Sequence, residues 1–198
     1  LVIQGLSGFA HASLTVTGAV TNTGSITLDS AGGSANAALT AGAGGVTNTG
    51  TLTTNLGSGG ARTLSGHLTN GGTVDLNANT TFSTATGSYT NNGTFTIAAA
   101  RTLAISGQSQ TLTQAAGAMT VDGTLSLASV TFTFNGGALD GNPPVLLNSL
   151  LNLGAAATDA TAFIIRGTSS TLSGDVKPGQ SLLLQGVSGL DHVTGNAV

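Results

Sequence analysis

Seven aspartates, four strong bases and three histidines are all that this 198-residue chain offers for acid–base or ionic chemistry. The acids are Asp29, Asp75, Asp122, Asp140, Asp159, Asp175 and Asp191, and the bases Arg62, Arg101, Arg166 and Lys177. Cleaving a polysaccharide needs paired carboxylates, or a carboxylate with Arg or Lys, crowded on one surface. Spacing offers one such pair, Asp122 and Asp140. If they stand in successive layers about 4.8 Å apart, one residue out of register, their carboxylates come within about 5–8 Å. With turn carbonyls they form a candidate Ca²⁺ site. Aspartates that shape turns by bonding their own backbone account for the same residues more simply. His67 follows a TLSG phrase and Asp175 follows its second copy, while His11 and His192 lie near the termini. Ser and Thr are too abundant to single out a nucleophile beside them. Arg62 and Arg101 share the phrase ARTL, which reads as a repeated structural position. No catalytic residue and no cofactor is assigned.

Composition narrows the classes further. Charged residues make up 6% of the chain, against roughly 25% in an average soluble domain. A net charge of -3 cannot supply a basic surface for a phosphate backbone, so nucleic acid is not an expected partner. No apolar run approaches the ~18 residues of a membrane helix. Cysteine is absent, which excludes disulfides and thiolate metal sites. Helix-favouring Glu, Lys, Arg, Gln and Met are scarce, and Thr, Val, Leu, Ser and Gly take their place, as in all-β chains. A hydrophobic content of 39% is ample for a core. Leu1 opens the chain without Met or a signal peptide, so it reads as a mature or excised segment.

The elements that must position these residues are visible as repeats. The phrases VTNTGSITL (20–28), VTNTGTLTT (46–54), LTNGGTVDL (68–76) and YTNNGTFTI (89–97) share one grammar: strand, bend, strand. The first apolar position falls at Val20, Val46, Leu68, Tyr89 and Met119, then in degenerate copies at Leu139 and Val176. The intervals are 26, 22, 21, 30, 20 and 37 residues. A period near 21 predicts one turn of a three-faced β-solenoid, whereas a propeller blade needs roughly 40–50 residues and ankyrin or TPR units need helices. The expected layout is a single solenoid domain over 1–198, with about 20–26 residues per regular coil. Regular coils cover about 13–139, an irregular coil or loop insertion covers 140–170, and a final coil covers 171–190. Asp159 and Arg166 are expected on a protruding loop of the irregular part.

Alternation assigns the faces. Ile26, Leu52, Val74, Phe95, Leu125, Val145 and Leu182 are predicted inward, with Leu28, Leu76, Ile97, Leu127, Leu147 and Leu184. Phe82, Phe132, Phe134, Phe163 and Tyr89 also read as core. Stacking turns each position into a column, so Asn22, Asn48, Asn70 and Asn91 are predicted to form a structural ladder at one corner. Gly24, Gly50, Gly72, Gly93 and Gly123 follow as turn glycines, expected at positive φ. SLTVTG (13–18), ARTLSG (61–66) and TFTFNG (131–136) are predicted to supply the third face. Thr51, Thr53, Thr94, Thr96 and Thr124 make a candidate outward binding face, extended by Ser25, Thr27 and Ser126 into a grid two columns wide. Threonine is also the ordinary outward residue of an uncharged strand. With no Trp and Tyr89 inward, sugar stacking has no platform.

SLTVTGAVTNTGSITL, GGVTNTGTLTT, GGARTLSGHLTNGGTVDL and SYTNNGTFTIAAARTLAISG resemble the repeat regions of large secreted bacterial surface proteins of the adhesin-like, filamentous-haemagglutinin-like kind. The resemblance covers roughly 13–127 well and 128–190 loosely. It implies a right-handed parallel β-helix acting as a stalk, spacer or adhesive fibre at the bacterial surface. It also implies self-association, neighbouring coils of a longer chain, or a host or glycan surface as partners. The alternatives are a glycan-binding or polysaccharide-degrading β-helix, and an ice-binding solenoid, whose Thr-x-Thr arrays the outward grid resembles.

Overall fold

A computed structural model describes residues 1–6 and 11–186, and every regular element among them is a β-strand. All inter-strand pairs are parallel and join one coil to the next, which makes the molecule a parallel β-helix with three faces. The first face stacks Val2–Gly5, Ser25–Ser30, Thr51–Asn55, Thr73–Asn77, Thr94–Ile97, Ala118–Val121 and Ala138–Gly141. The second begins with Ala12–Val16, Ala37–Ala41, Arg62–Ser65 and Thr80–Phe82 and ends with Val145–Leu147, Ala162–Arg166 and Ser181–Leu184. The third begins with Val20–Asn22, Val46–Asn48, Leu68–Asn70 and Ser88–Asn91 and ends with Leu150–Leu153 and Thr171–Ser173. Between them, Thr102–Gln114 and Thr124–Phe134 each run through a corner and serve both faces.

Period-two alternation of Leu, Val, Ile and Phe with Thr and Ser forces this arrangement. One side of each strand must leave water, and the only apolar surface available is that of the other two faces. Leu52, Val74, Phe95, Met119 and Leu139 stack inside the first face, and Leu39, Leu64, Phe82, Ile105 and Leu127 inside the second. Val46, Leu68, Tyr89, Leu112, Phe132 and Leu151 line the third, and all of these are buried. Within one coil Phe82 packs on Tyr89 and Phe95, with ring centroids 4.9 and 6.2 Å away, so the three faces meet through aromatic edges.

The predicted register holds through Ile97 and is corrected after it. Leu112, not Met119, lies over Tyr89; Met119 pairs with Phe95 on the first face, and Leu139 follows it. Leu125 pairs with Leu103 on the second face. The misleading phrase is VDGTLSL (121–127), which copies the strand–bend–strand grammar of TNTGTLTT at a different corner of the triangle. ARTLSG and SLTVTG do lie on the face outside the repeat unit, the second face here, as predicted, whereas TFTF lies on the third, and the two TLSG phrases fall on different faces. Asp175 therefore does not occupy the place equivalent to His67; it lies with the exposed Val176 in the 174–180 loop.

Val145 and Leu147 point outward and Leu146 is buried, the reverse of the predicted parity. The run PVLLN is apolar at nearly every position and carries no alternation signal. Leu182 is packed against the core, whereas Leu184 is 53% exposed in the last described strand. The final coil is described as far as 186; its residues 187–190, like Asp191 and His192, lie outside the described residues.

Among the described residues the first face ends at Ala138–Gly141, and loops 154–161 and 174–180 take its place. Asp159 Oδ2 accepts the Leu139 N–H at 2.8 Å, satisfying an edge donor of that last strand. Lys177 Nζ donates to Gly154 O at 3.0 Å and Gln180 Nε2 to Ala157 O at 2.8 Å, tying the two loops together. Asp159 thus does not sit on a protruding loop. Nor does Arg166, which lies on the second face and donates to Gln185 Oε1 at 2.9 and 2.7 Å.

Candidate functional site

Where the third face turns into the first, each coil directs an asparagine inward. Asn22 Nδ2 donates to Asn48 Oδ1 at 2.6 Å, Asn48 to Asn70 at 2.7 Å and Asn70 to Asn91 at 2.7 Å. Each Nδ2 also donates to a backbone carbonyl of the next coil: Thr51, Thr73 and Thr94, all at 2.9 Å. Gln114, which the repeat pattern did not include, closes the series by accepting from Asn91 Nδ2 at 2.7 Å and turning its own amide to Ala116 O. TLTQAAG (111–117) holds it where the earlier copies read TN, and its longer side chain hid the equivalence.

The glycines after these asparagines are not at positive φ, contrary to expectation: Gly24, Gly50, Gly72 and Gly93 have ordinary backbone angles. Close approach explains them instead. A Cβ on Gly50 would overlap the carbonyl oxygen of Gly24, one on Gly72 that of Gly50, and one on Gly93 that of Gly72. Gly117 and Gly137 continue this column. Gly123 belongs to the corner between the first and second faces, against the carbonyls of Ala98 and Arg101, and it too lacks a positive φ.

Arg62 is fully buried, and all five of its guanidinium N–H groups reach backbone carbonyls. Nε donates to Asn55, Nη1 to Ala35 and Ala61, and Nη2 to Leu56 and Gly59, at 2.8–3.4 Å. Loop 55–61 is wound around this cation. Burial pulls its pKa below the usual arginine value, opposed by Asp29. Arg101 has no such site: Arg62 pairs in register with Thr80 and Thr80 with Leu103, so the shared ARTL phrase sits two residues apart in the two coils. Tyr89 Oη donates to Gln110 Oε1 at 3.3 Å, and burial pushes its pKa up to about 12.

Other candidate groups are spread along the rod. Asp140 pairs with Thr120 and Asp122 stands two residues further on, beside Asn142, so they are two residues out of register and not one. Asn142 Nδ2 donates to the carbonyls of Asp122 and Gly123. Among the described residues no three His, Cys, Asp or Glu side chains converge to hold a metal ion. His67 Nδ1 accepts the Ser88 N–H and His11 Nδ1 the Asn36 N–H, both at 3.0 Å, so each bridges two coils.

The outer surface holds two ordered features, and the first corrects the predicted binding face. Thr51, Thr73 and Thr94 stand in one column of the first face, with Ala118 next. Thr53 and Thr96 stand in the other, with Asp75 between them and Thr120 after them. Thr51, Thr53, Thr94 and Thr96 point outward as predicted; Thr94 is exposed and the other three are half-buried. Thr53 is held between Thr27 and Asp75, and Thr96 between Asp75 and Thr120. Side chains stacked at about 4.8 Å cover one another's flanks, so an outward column keeps only part of its surface. Thr124 is not part of that face at all; it pairs with Thr102 on the second. The longest threonine column lies on the third face: Thr21, Thr47, Thr69, Thr90, Thr113 and Thr133, followed by Asn152. Its first three members are exposed. The second feature is a groove of about 310 Å³ at the corner between the second and third faces, lined by Gln108, Ser109, Ser129, Asn148, Ser169 and Thr171 among others.

No family model matches the chain, and neither a curated protein nor a solved structure does.

Proposed function

We propose that this chain is a structural β-solenoid segment, a stalk, spacer or adhesive fibre, of an extracellular bacterial surface protein. The observation that carries the reading is the Asn22–Asn48–Asn70–Asn91–Gln114 ladder. From Asn22 to Gln114 each coil's buried amide is completed by the next, so internal side-chain bonding runs along the axis through five successive coils. The uncharged threonine column of the third face supports it too, since rods with so little charge can associate side by side with little repulsion. Pulling the chain end to end between reference domains tests the role. Unfolding in coil-sized steps against a clear force barrier, with a lower barrier in Asn70→Ala, is the expected result. Extension without a barrier overturns it, as does release of reducing ends or unsaturated products from a polysaccharide panel.

The six-threonine column on the third face favours one second reading, binding to a regular surface such as ice. That reading predicts thermal hysteresis that disappears in Thr90→Tyr; its absence in the parent protein removes it.

A further inference from the structure

The corner between the second and third faces is built differently in successive coils. Early coils cross it through glycines, with Gly45 and Gly66 at φ 63° and 116°. Later coils cross it through Ser109, with Gly107 at φ 134° beside it, then through Ser129 and Asn148, at φ 71°, 59° and 49° for the three non-glycine residues. Counting back from the pairs Thr131–Leu150 and Leu150–Thr171, Ser129, Asn148 and Ser169 take successive places in one column, and Ser109 joins them from a bulge that lies between Ser106 and Gln110. Left-handed backbone is strained for a residue with a Cβ, and glycine would relieve it. This chain uses 31 glycines, yet at three successive levels of one corner it carries a hydroxyl or an amide instead. Strain repeated at one place marks a place where the side chains are needed.

Those side chains line the groove. Gln108, Ser109, Ser129, Ser169 and Thr171 make no side-chain hydrogen bond among the described residues. Asn148 uses its Oδ1 for the N–H groups of Thr168 and Ser169, which holds its amide in place. The row behind is satisfied internally: Ser149 Oγ donates to Leu147 O and accepts the Val130 N–H, and Ser170 Oγ donates to Arg166 O. The groove therefore has a settled floor and an open rim of hydroxyls and amides, with Leu150 as an apolar patch within it. No Asp, Lys, Arg or His lines it. Four coils at about 4.8 Å per step make it roughly 14 Å long.

We infer that this groove is a binding site for an uncharged, elongated polyhydroxylated ligand, a short neutral oligosaccharide. Alternating donors and acceptors match sugar hydroxyls, the apolar patch suits a C–H face, and the missing charge disfavours uronic or sulfated chains. The site does not depend on the rod role: ligand binding and resistance to force are read separately.

The test is an amide NMR titration of the whole chain with maltotriose, cellotriose, triacetylchitotriose and, as the anionic comparison, trigalacturonate. At least one neutral trisaccharide is expected to shift the amides of 108–110, 129–131, 148–150 and 169–171 saturably at millimolar concentration, with trigalacturonate weaker. Ser109→Gly with Ser129→Gly keeps the left-handed backbone, so its melting temperature should hold or rise. Its affinity should fall roughly tenfold, the loss expected from two hydroxyl contacts. Four results would each overturn the inference: no saturable shift with any neutral probe, shifts confined to another surface, equal affinity for trigalacturonate, or unchanged affinity in the double variant.

Discussion

Asn70 accepts from Asn48, donates to Asn91 and donates again to Thr94 O, all inside the rod, so its neighbours depend on it as much as it on them. Asn70→Ala removes these bonds together and leaves polar atoms of both neighbours less well satisfied in the core. We expect a loss of about 2 kcal/mol in a urea melt. The glycine column separates close approach from backbone angle. Gly24 and Gly72 occupy equivalent places, but a Cβ meets nothing within 4 Å at Gly24 and the Gly50 carbonyl at Gly72. Gly24→Ala should stay within about 0.5 kcal/mol of the parent, whereas Gly72→Ala should cost about 1–3 kcal/mol. Tyr89 gives the fold a pH limit. Its pKa stands at about 12 in the fold against 10.0 unperturbed, because burial disfavours the phenolate. Below pH 10 both folded and unfolded chains hold the proton, and the contribution is complete. Between pH 10 and about 12 the unfolded chain releases a proton that the fold retains, so stability falls as pH rises, then levels off. Denaturant midpoints across that window should show the slope in the parent and lose Tyr89's share of it in Tyr89→Phe.

At the scale of the strand, the informative element is Val145–Leu147. Its neighbours settle what its own residues leave open. Pairing with Ser126–Ala128 below and Ile164–Arg166 above puts Leu146 over Leu127 and under Ile165, in the core. Val145→Asp, on the outside, should leave the melting temperature within a few degrees of the parent. Leu146→Asp buries an unpaired carboxylate and should prevent cooperative folding. A circular-dichroism melt of the two variants reads the register directly, and equal effects would contradict it. The end of the first face is decided in the same way. Asp159, remote in sequence from Leu139, supplies the acceptor where no further strand does.

For the whole molecule, stability is a sum over neighbouring coils, and a coil should be removable if its ends match. Deleting residues 46–67 joins Gly45 to Leu68, which pairs in register with Val46, and takes out Arg62 together with the loop wound around it. The shortened chain should fold cooperatively and lose about 4.8 Å of length in small-angle scattering. A molten product would show that the coils are not interchangeable units. The sequence by itself determined the parallel β-helix, the inward columns through Ile97 and the set of asparagines that stack, because these depend on local alternation and a repeat period. It also held the candidate outward threonines, but not which of them share a face, nor that Thr53 and Thr96 would be half-covered by their neighbours in the stack. Only the tertiary structure decided that Met119 follows Phe95, that Gln114 ends the asparagine series, that Arg62 is caged while Arg101 is not, and that a serine-lined groove opens at one corner. The physical reason is common to all of these. A strand–bend–strand phrase fits any corner of a triangular coil, so the face it occupies is set by the coils above and below it and not by its own residues.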